Sequence, residues 1–268
     1  FTQGSISAAQ SHLDATQSNA PGVELRDIFL PVGQVYSQLD LITNLTFAAY
    51  YQWEWEKTQL DAPGTYFSTS DLLDDGGKNL IYPYPAAPAG YILIPRGDDD
   101  EPRDSGQYGF SLRYIAEELN ETEFGLYYIN YHEKLPNFYL NPATMQYYLG
   151  YGEDIKLYGA SVSTVICDAN VAFEIAYRKD FPAQVEPSSA YTYEDVDVIQ
   201  GLVSVINIFG PLGLIDNTTL TAEAGVDRVQ GDSDLVYDKF AWGYTAKLAF
   251  DFFTILPALD LNVPITWK

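Results

Sequence analysis

The stretch Phe240–Phe252 reads FAWGYTAKLAFDF and indicates the fold most directly. Apolar or aromatic residues stand at every second position, while small or charged residues such as Lys247 and Asp251 stand between them. A period of two predicts a β-strand with two unlike faces. The alternation continues beyond the roughly 5–6 residues of an ordinary strand. It suits a strand that crosses a bilayer at a tilt, which needs about 9–11 residues.

The same alternation recurs along the chain and predicts about nine or ten strands. The strong segments, besides Phe240–Phe252, are Leu45–Glu56, Tyr108–Glu117, Val171–Arg178, Leu220–Arg228 and Leu259–Trp267. Weaker candidates with mixed faces are Val32–Leu39, Glu123–His132, Ile155–Val165 and Val198–Phe209. No helical stretch suits a βαβ unit, and residues 5–18 predict a short helix at most. We therefore expect an all-β fold, a closed antiparallel transmembrane β-barrel, in a single domain over residues 1–268.

The predicted connectors have two lengths. Glu118–Glu121 and Cys167–Asn170 are short polar turns, whereas Lys57–Ser105 and Asp180–Asp195 are long. Outer-membrane barrels alternate short periplasmic turns with long external loops, so the connector pattern favours that class.

Composition excludes several classes. The net charge of −23 leaves no basic stripe for nucleic acid or for an anionic membrane surface. A single cysteine, Cys167, excludes an intramolecular disulfide. No apolar run is long enough for a transmembrane helix, and Phe1 begins no signal peptide, so we expect any export signal to have been removed already. Aromatic residues make up 15% of the chain, with 22 Tyr, which suits a boundary between water and lipid.

Apart from Arg228 at the end of its segment, the charges of the strong segments fall opposite the apolar and aromatic residues. Lys or Arg on a lipid face costs about 2–4 kcal/mol at the bilayer midplane, so this separation favours a membrane strand with a wet lumen on the charged side. The predicted lumen-facing residues are Glu54, Glu56, Arg113, Glu174, Arg178, Glu223, Asp227, Lys247 and Asp251. Tyr50, Ile115 and Tyr158 are candidates for apolar lumen positions. A soluble β-sandwich also alternates apolar and polar residues, and that alternative stays open.

Trp and Tyr collect at both interfaces of a membrane. The predicted lipid-interface aromatics stand near the ends of strong segments, and they are Trp53, Trp55, Tyr177, Trp242 and Trp267.

Motifs for covalent chemistry are missing from the sequence. It contains no Gly-x-Ser-x-Gly elbow, His-Glu-x-x-His pair, Walker loop or dinucleotide-binding glycine motif, so we predict no enzymatic activity and no cofactor. A hydrolase built around His132 is the alternative. Carboxylates in the loop at Asp98, Asp99 and Asp100 suggest a weak Ca²⁺ site, although their spacing does not match an EF-hand.

Several phrases, in order along most of the chain, resemble a proteobacterial outer-membrane family of unknown function, the thirteen-hundred-and-second of its series. They begin at Pro21 (PGVELRDIFLPVGQ), Ala48 (AAYYQWEWE), Tyr66 (YFSTSD), Asp104 (DSGQYG), Leu119 (LNETEFGLYY), Glu153 (EDIKLYGAS) and Phe240 (FAWGY). The chain is shorter than typical members and ends ITWK without their terminal aromatic, so we expect it to be incomplete, with loops or strands missing.

The resemblance implies a barrel in the outer membrane of a Gram-negative bacterium, distantly similar to long-chain fatty-acid transporters. It implies a channel or transporter for hydrophobic or amphipathic small molecules, such as lipids, fatty acids, sterols or hydrocarbons. The expected partners are outer-membrane lipid and lipopolysaccharide, the small-molecule cargo, and a periplasmic protein or a second copy of the chain. A general diffusion porin with a water-filled pore and a soluble secreted β-rich binding protein are the alternatives.

Overall fold

The computed structural model describes residues 6–19, 23, 25–186 and 191–267. Its strands account for most of the ordered backbone and alternate with turns and loops. They are β1 (Gln34–Ile42), β2 (Leu45–Gln52), β3 (Asn79–Pro83), β4 (Tyr91–Pro95), β5 (Gln107–Ala116), β6 (Thr122–Tyr131), β7 (Asn137–Asn141), β8 (Gln146–Gly150), β9 (Ile155–Ile166), β10 (Ala169–Val185), β11 (Thr192–Ile208), β12 (Asn217–Val229), β13 (Phe240–Leu256) and β14 (Leu259–Trp267).

Ten of these strands form one antiparallel sheet in the order β1-β2-β5-β6-β9-β10-β11-β12-β13-β14. Each of the ten corresponds to a segment predicted from alternation, which confirms the all-β, antiparallel prediction. Strands β3 and β4 pair in a separate hairpin, and β7 and β8 pair in another. Within the described residues, β1 and β14 lie at the two edges of the sheet and do not pair with each other.

The register gathers apolar and aromatic side chains on one side of the sheet and most of the polar side chains on the other. Val226 lies opposite Trp242, Phe173 opposite Val203, and Leu112 opposite Leu126. We call this side the aromatic face. The other side, the polar face, brings Gln200 opposite Asp227 and Thr221 opposite Lys247. Because side chains alternate along each strand, the pairing of ten strands extends both faces across the whole sheet.

Connections differ at the two ends of the sheet. At one end the strands are joined by tight turns, such as Cys167 and Asp168, whose φ angles of 49° and 65° suit a two-residue hairpin. The opposite end carries residues 53–106 and 132–154, and these contain the β3–β4 and β7–β8 hairpins. Arg96 and Asp100, which follow β4, bridge to β8 at Tyr147 and Gly150, and Tyr147 and Leu149 are fully buried there.

One expectation about connectors is wrong, and a second connector contains structure that the sequence pattern does not predict. Residues 180–195 were expected to form a long loop, but β10 and β11 continue to Val185 and from Thr192 as a paired extension of the sheet. A register shift between Arg178 and Phe181 interrupts the alternation there, and this hides the extension from a period-two pattern. The loop at residues 57–105 contains the short β3–β4 hairpin, which was not predicted.

The N-terminal segment, defined here as residues 6–19, lies against the polar face. It contains two 3-10 helices, Ile6–Ala9 and Ala15–Asn19, and the short helix α1 (Leu25–Ile28) follows it. Ile6 and Ala9 join a buried cluster with Ile129, Leu157 and other residues of β6, β9 and β10. Within the described residues, no helix combines the length and the apolar character needed to cross a membrane.

Candidate functional site

A cavity of about 210 Å³ lies on the polar face beside the N-terminal segment. Side chains from β1, β2, β5, β6, β10 and the N-terminal segment meet around it. The lining residues are Ile6, Gln10, Tyr36, Ala48, Ala49, Tyr50, Gly109, Phe110, Ser111, Tyr127, Ile129 and Glu174. The surface is mainly apolar, with tyrosine rings and one carboxylate, which is the mixture typical of sites for small molecules.

Glycines on the polar face make room for the large side chains near this cavity. Gly109 lies opposite Tyr50, and a Cβ on Gly109 would overlap the Tyr50 ring. Gly159 lies below Ile6, whose Cδ1 would be 2.6 Å from a Cβ at that position. The side chains of Tyr50 and Ile6 therefore lie flat against the sheet over glycines, and the N-terminal segment approaches the sheet closely.

Glu174 is the carboxylate of the cavity. Its Oε2 accepts a hydrogen bond of 3.2 Å from the backbone N–H of Ile6. Among the described residues, no Lys, Arg or His forms an ion pair with Glu174. The carboxylate is thus directed at an N–H group of the N-terminal segment and has no neutralising cation in the described structure.

Hydrogen bonds to main-chain carbonyls hold the N-terminal segment in place. Gln52 Nε2 donates to the Gln10 carbonyl at 2.7 Å, and Lys134 Nζ donates to the Ala9 and His132 carbonyls, each at 3.0 Å. Lys134 is buried beneath the segment, and this burial lowers the pKa of its amine to about 8. Burial also lowers the pKa of His12. In both cases burial disfavours the charged form of the side chain.

His132 has a structural role in the same region. Its Nδ1 lies 3.0 Å from the Asp154 backbone N–H, and its Nε2 lies 2.9 Å from the Ser105 carbonyl. Nδ1 is therefore the acceptor and Nε2 the donor of a neutral ring that is fully buried. With both ring nitrogens engaged by backbone groups, the geometry does not offer His132 as a general base.

Most residues predicted to face a lumen lie on the polar face, and they are Arg113, Glu174, Arg178, Glu223, Asp227, Lys247 and Asp251. Only Glu174 lines the cavity. Arg178 is buried and contacts Tyr131 and Gln200, whereas Asp251 accepts hydrogen bonds from Asn217 and Asn262. Glu54 and Glu56 lie beyond the end of β2, and Glu54 Oε2 accepts the Gly33 N–H at 2.6 Å.

The predicted interface aromatics separate into two groups. Trp53, Trp242 and Trp267 are 54%, 69% and 49% exposed, and Tyr177 is half-buried, with its hydroxyl donating to Asp197. The prediction for Trp55 is wrong because its ring is buried outside β2. Its Nε1–H donates to the Glu133 carbonyl at 3.1 Å, and its ring meets Tyr151 edge to face with 4.8 Å between centroids.

The three residues predicted to be apolar lumen positions lie in different environments. Tyr50 lines the cavity, as a lumen position would. Ile115 lies on the polar face near a turn and is not a lining residue of the cavity. Tyr158 is on the aromatic face, opposite Tyr128 and Tyr177, so its assignment to the lumen is wrong. Both faces of β9 carry polar residues, so the sequence pattern does not show which of its residues belong to the aromatic face.

The candidate Ca²⁺ ligands Asp98, Asp99 and Asp100 are not arranged as a metal site within the described residues. Asp99 pairs with Arg96, with Oδ2 2.5 Å from Nη2, and its Oδ1 also accepts the Leu149 N–H at 3.1 Å. Within the described residues, no group of three or more acidic, His or Cys side chains is arranged to hold a metal ion.

Some cavity residues carried no signal in the sequence. Ile6, Gln10 and Tyr36 come from segments with weak or no alternation, and they reach the cavity only through tertiary packing. Gly109, which lines the cavity, and Gly159, which lies below Ile6, did carry a signal, because a glycine inside a strand often marks a close approach.

Comparison with curated proteins finds no match to the chain. The family model described as "Protein of unknown function (DUF1302)" matches residues 1–268. This is the family that the sequence phrases resemble. Because the match spans the whole sequence, the chain belongs to the DUF1302 family.

Proposed function

We propose that the chain is part of an outer-membrane β-barrel of a Gram-negative bacterium that passes hydrophobic or amphipathic small molecules along its polar face. The observation that carries this proposal is the exposed aromatic face. Large apolar side chains from successive strands are 40–69% exposed there, among them Phe110, Leu126, Phe173, Val203 and Trp242. Lone exposed apolar residues are ordinary, but a face of this extent marks contact with lipid or with a partner.

The distribution of charge supports lipid as that contact. Arg113, Glu174, Lys247 and Asp251 lie on the polar face, opposite the side that carries Phe173 and Trp242. A charge facing hydrocarbon at the midplane costs about 2–4 kcal/mol, so a lipid-facing side has to be free of charges near its centre. Tight turns at one end and large folded loops at the other also agree with the usual outer-membrane arrangement.

The cavity supports passage of small molecules rather than covalent chemistry. Tyr50, Ile129 and Ile6 offer apolar contacts, while Ser111 and Glu174 offer polar ones. An amphipathic molecule needs both kinds of contact. The acyl chains and lipopolysaccharide of the outer membrane would be the partners of the aromatic face.

Neighbouring residues on β11 provide a matched test of membrane insertion. Val203 is on the aromatic face, opposite Phe173 and Ala224, whereas Ser204 is on the polar face, opposite Ala172 and Glu223. Val203→Arg should destabilise the inserted protein by about 2–4 kcal/mol and reduce its amount in the outer-membrane fraction. Ser204→Arg should be tolerated. Equal effects of the two variants, or quantitative recovery of the unmodified chain without detergent in the soluble fraction, would contradict the proposal.

Passage is tested separately with purified protein in liposomes and planar bilayers. Uptake of a hydrophobic dye that depends on the protein would support the proposed transport. Steady ion conductance that is unchanged by hydrophobic compounds would instead identify a general diffusion porin.

A further inference from the structure

We propose that the cavity beside the N-terminal segment binds small amphipathic amines through the Glu174 carboxylate and the surrounding tyrosine rings. This inference deepens the proposed function by naming a class of ligand, and it rests on the polar face being the path of small molecules.

The first argument is the charge at the cavity. Glu174 is the one carboxylic acid among the lining residues, and no lining residue is basic. A carboxylate that has no ion-pair partner within the described structure favours a ligand with a positive N–H group and repels an anionic head group. Fatty-acid carboxylates are therefore disfavoured at this position.

The second argument comes from Ile6, which already presents the chemistry of such a ligand. Its N–H donates to Glu174 Oε2 at 3.2 Å, while its branched side chain lies over Gly159. This part of the polar face therefore accommodates an N–H donor that carries a short apolar group. An amine beside Ile6 would donate a hydrogen bond of the same kind to the Glu174 carboxylate, and its full positive charge would make that bond stronger.

The third argument is the aromatic lining and the size of the cavity. Tyr36, Tyr50 and Tyr127 supply three rings, and aromatic faces attract organic cations. Apolar cavities of about 150 Å³ hold molecules the size of benzene. The volume of about 210 Å³ here suits a ligand slightly larger than that, such as hexylamine.

The test measures binding of hexylamine, hexanol and hexanoate to the full chain in detergent at neutral pH by calorimetry. Hexylamine should bind more tightly than hexanoate by about tenfold or more, as expected for one charge-assisted hydrogen bond. Glu174→Gln should remove this preference while leaving the binding of hexanol unchanged. Its amide oxygen can still accept the Ile6 N–H, so the N-terminal segment should remain in place.

Asp227→Asn is the matched control because it neutralises an exposed carboxylate of the same face that does not line the cavity. It should keep the preference for the amine. Ser111→Phe, which fills the cavity, should weaken binding of hexylamine and hexanol alike. Equal binding of amine and carboxylate, a preference that survives Glu174→Gln, or no binding of hexylamine would overturn the proposal. These readouts do not depend on membrane insertion, so they fail or succeed independently of the Val203 and Ser204 variants.

Discussion

The ring of Tyr50 lies across Gly109 on the adjacent strand, in the space that a side chain at Gly109 would occupy. Tyr50 and Gly109 both line the cavity, so this contact forms part of its wall. Aromatic rings that cover a glycine on a neighbouring strand help to define register in β-sheets. The pair therefore links the local register of β2 and β5 to the shape of the candidate site.

Gly109→Ala should displace the Tyr50 ring and destabilise the protein by about 1–3 kcal/mol, since extra atoms in a packed site force shifts of neighbours. Gly243→Ala in β13 is the control, because a Cβ there meets no atom within 4 Å. It should leave stability unchanged or raise it by less than about 1 kcal/mol. Denaturant unfolding in detergent measures both, and similar values for the two variants would show that the Tyr50 contact is unimportant.

His132→Leu should be strongly destabilising. The substitution leaves the Ser105 carbonyl and the Asp154 N–H without their ring partner, at a cost of about 1–3 kcal/mol for each group that stays buried. His12→Leu is the control, since His12 is also buried but no ring hydrogen bond is found for it within the described residues. Thermal unfolding of both variants at the same pH should show a much larger loss for His132→Leu, and equal losses would argue against the proposed role.

Lys134 should make the attachment of the N-terminal segment depend on pH. Burial lowers the pKa of its amine from 10.5 to about 8, so between these values the unfolded state binds more protons than the folded state. Stability should therefore rise as pH increases from about 8 to about 10.5. The groups that contribute to this pKa include Glu133, which raises it, and Arg178, which lowers it.

The measurement is hydrogen exchange of the backbone N–H of Asp14 and Ala15 in the N-terminal segment, which are bonded to the Ile28 and Gln59 carbonyls. Lys134→Met removes the titrating amine and should remove the rise with pH. A rise of the same size in Lys134→Met would assign the effect to another group.

Trp55 and Trp242 should respond differently to quenchers. Trp242 is 69% exposed on the aromatic face, while Trp55 is 7% exposed beneath the loops. In liposomes, lipids with brominated acyl chains should quench a variant that keeps only Trp242 and should leave a variant that keeps only Trp55 nearly unaffected. Aqueous iodide should quench neither strongly. Strong quenching of Trp242 by iodide alone would place the aromatic face in water.

Cys167 should report the orientation of the chain. It is exposed at the tip of the tight turn between β9 and β10. If tight turns face the periplasm, a bulky polymer-linked maleimide should label Cys167 only after the outer membrane is permeabilised. Tyr66→Cys in a Cys167→Ser background is the control, because Tyr66 is 94% exposed in the long loop at the opposite end. It should be labelled in intact cells, and the reverse pattern would invert the proposed orientation.

The strands of the main sheet could be predicted because period-two alternation is a local property. Leu259–Trp267 reappears as β14 with the same bounds, and Phe240–Phe252 reappears as β13, which continues to Leu256. Alternation also placed Lys247 and Asp251 on the side opposite Trp242. The predicted segment Leu45–Glu56 extends beyond the end of β2 at Gln52, because aromatic residues of the following loop continue the alternation. For this reason Trp55 was assigned to the wrong environment.

The candidate site was mostly beyond prediction. Ile6 and Gln10 reach the polar face through a short segment with no regular period, and the role of His132 depends on backbone groups that are distant in the sequence. Glu174 could be placed on the correct face but not at a cavity, because the other residues that line the cavity come from four different strands and the N-terminal segment.

The outer sides of β1 and β14 present rows of peptide groups that have no strand partner within the described residues. In hydrocarbon, each such group left without a hydrogen bond costs several kcal/mol. For a chain that resides in a bilayer, both edge strands need a strand partner before or while the sheet meets acyl chains. Membrane insertion and pairing of the edge strands would then be one coupled event, and a chain whose edge strands cannot pair would stop at the membrane surface.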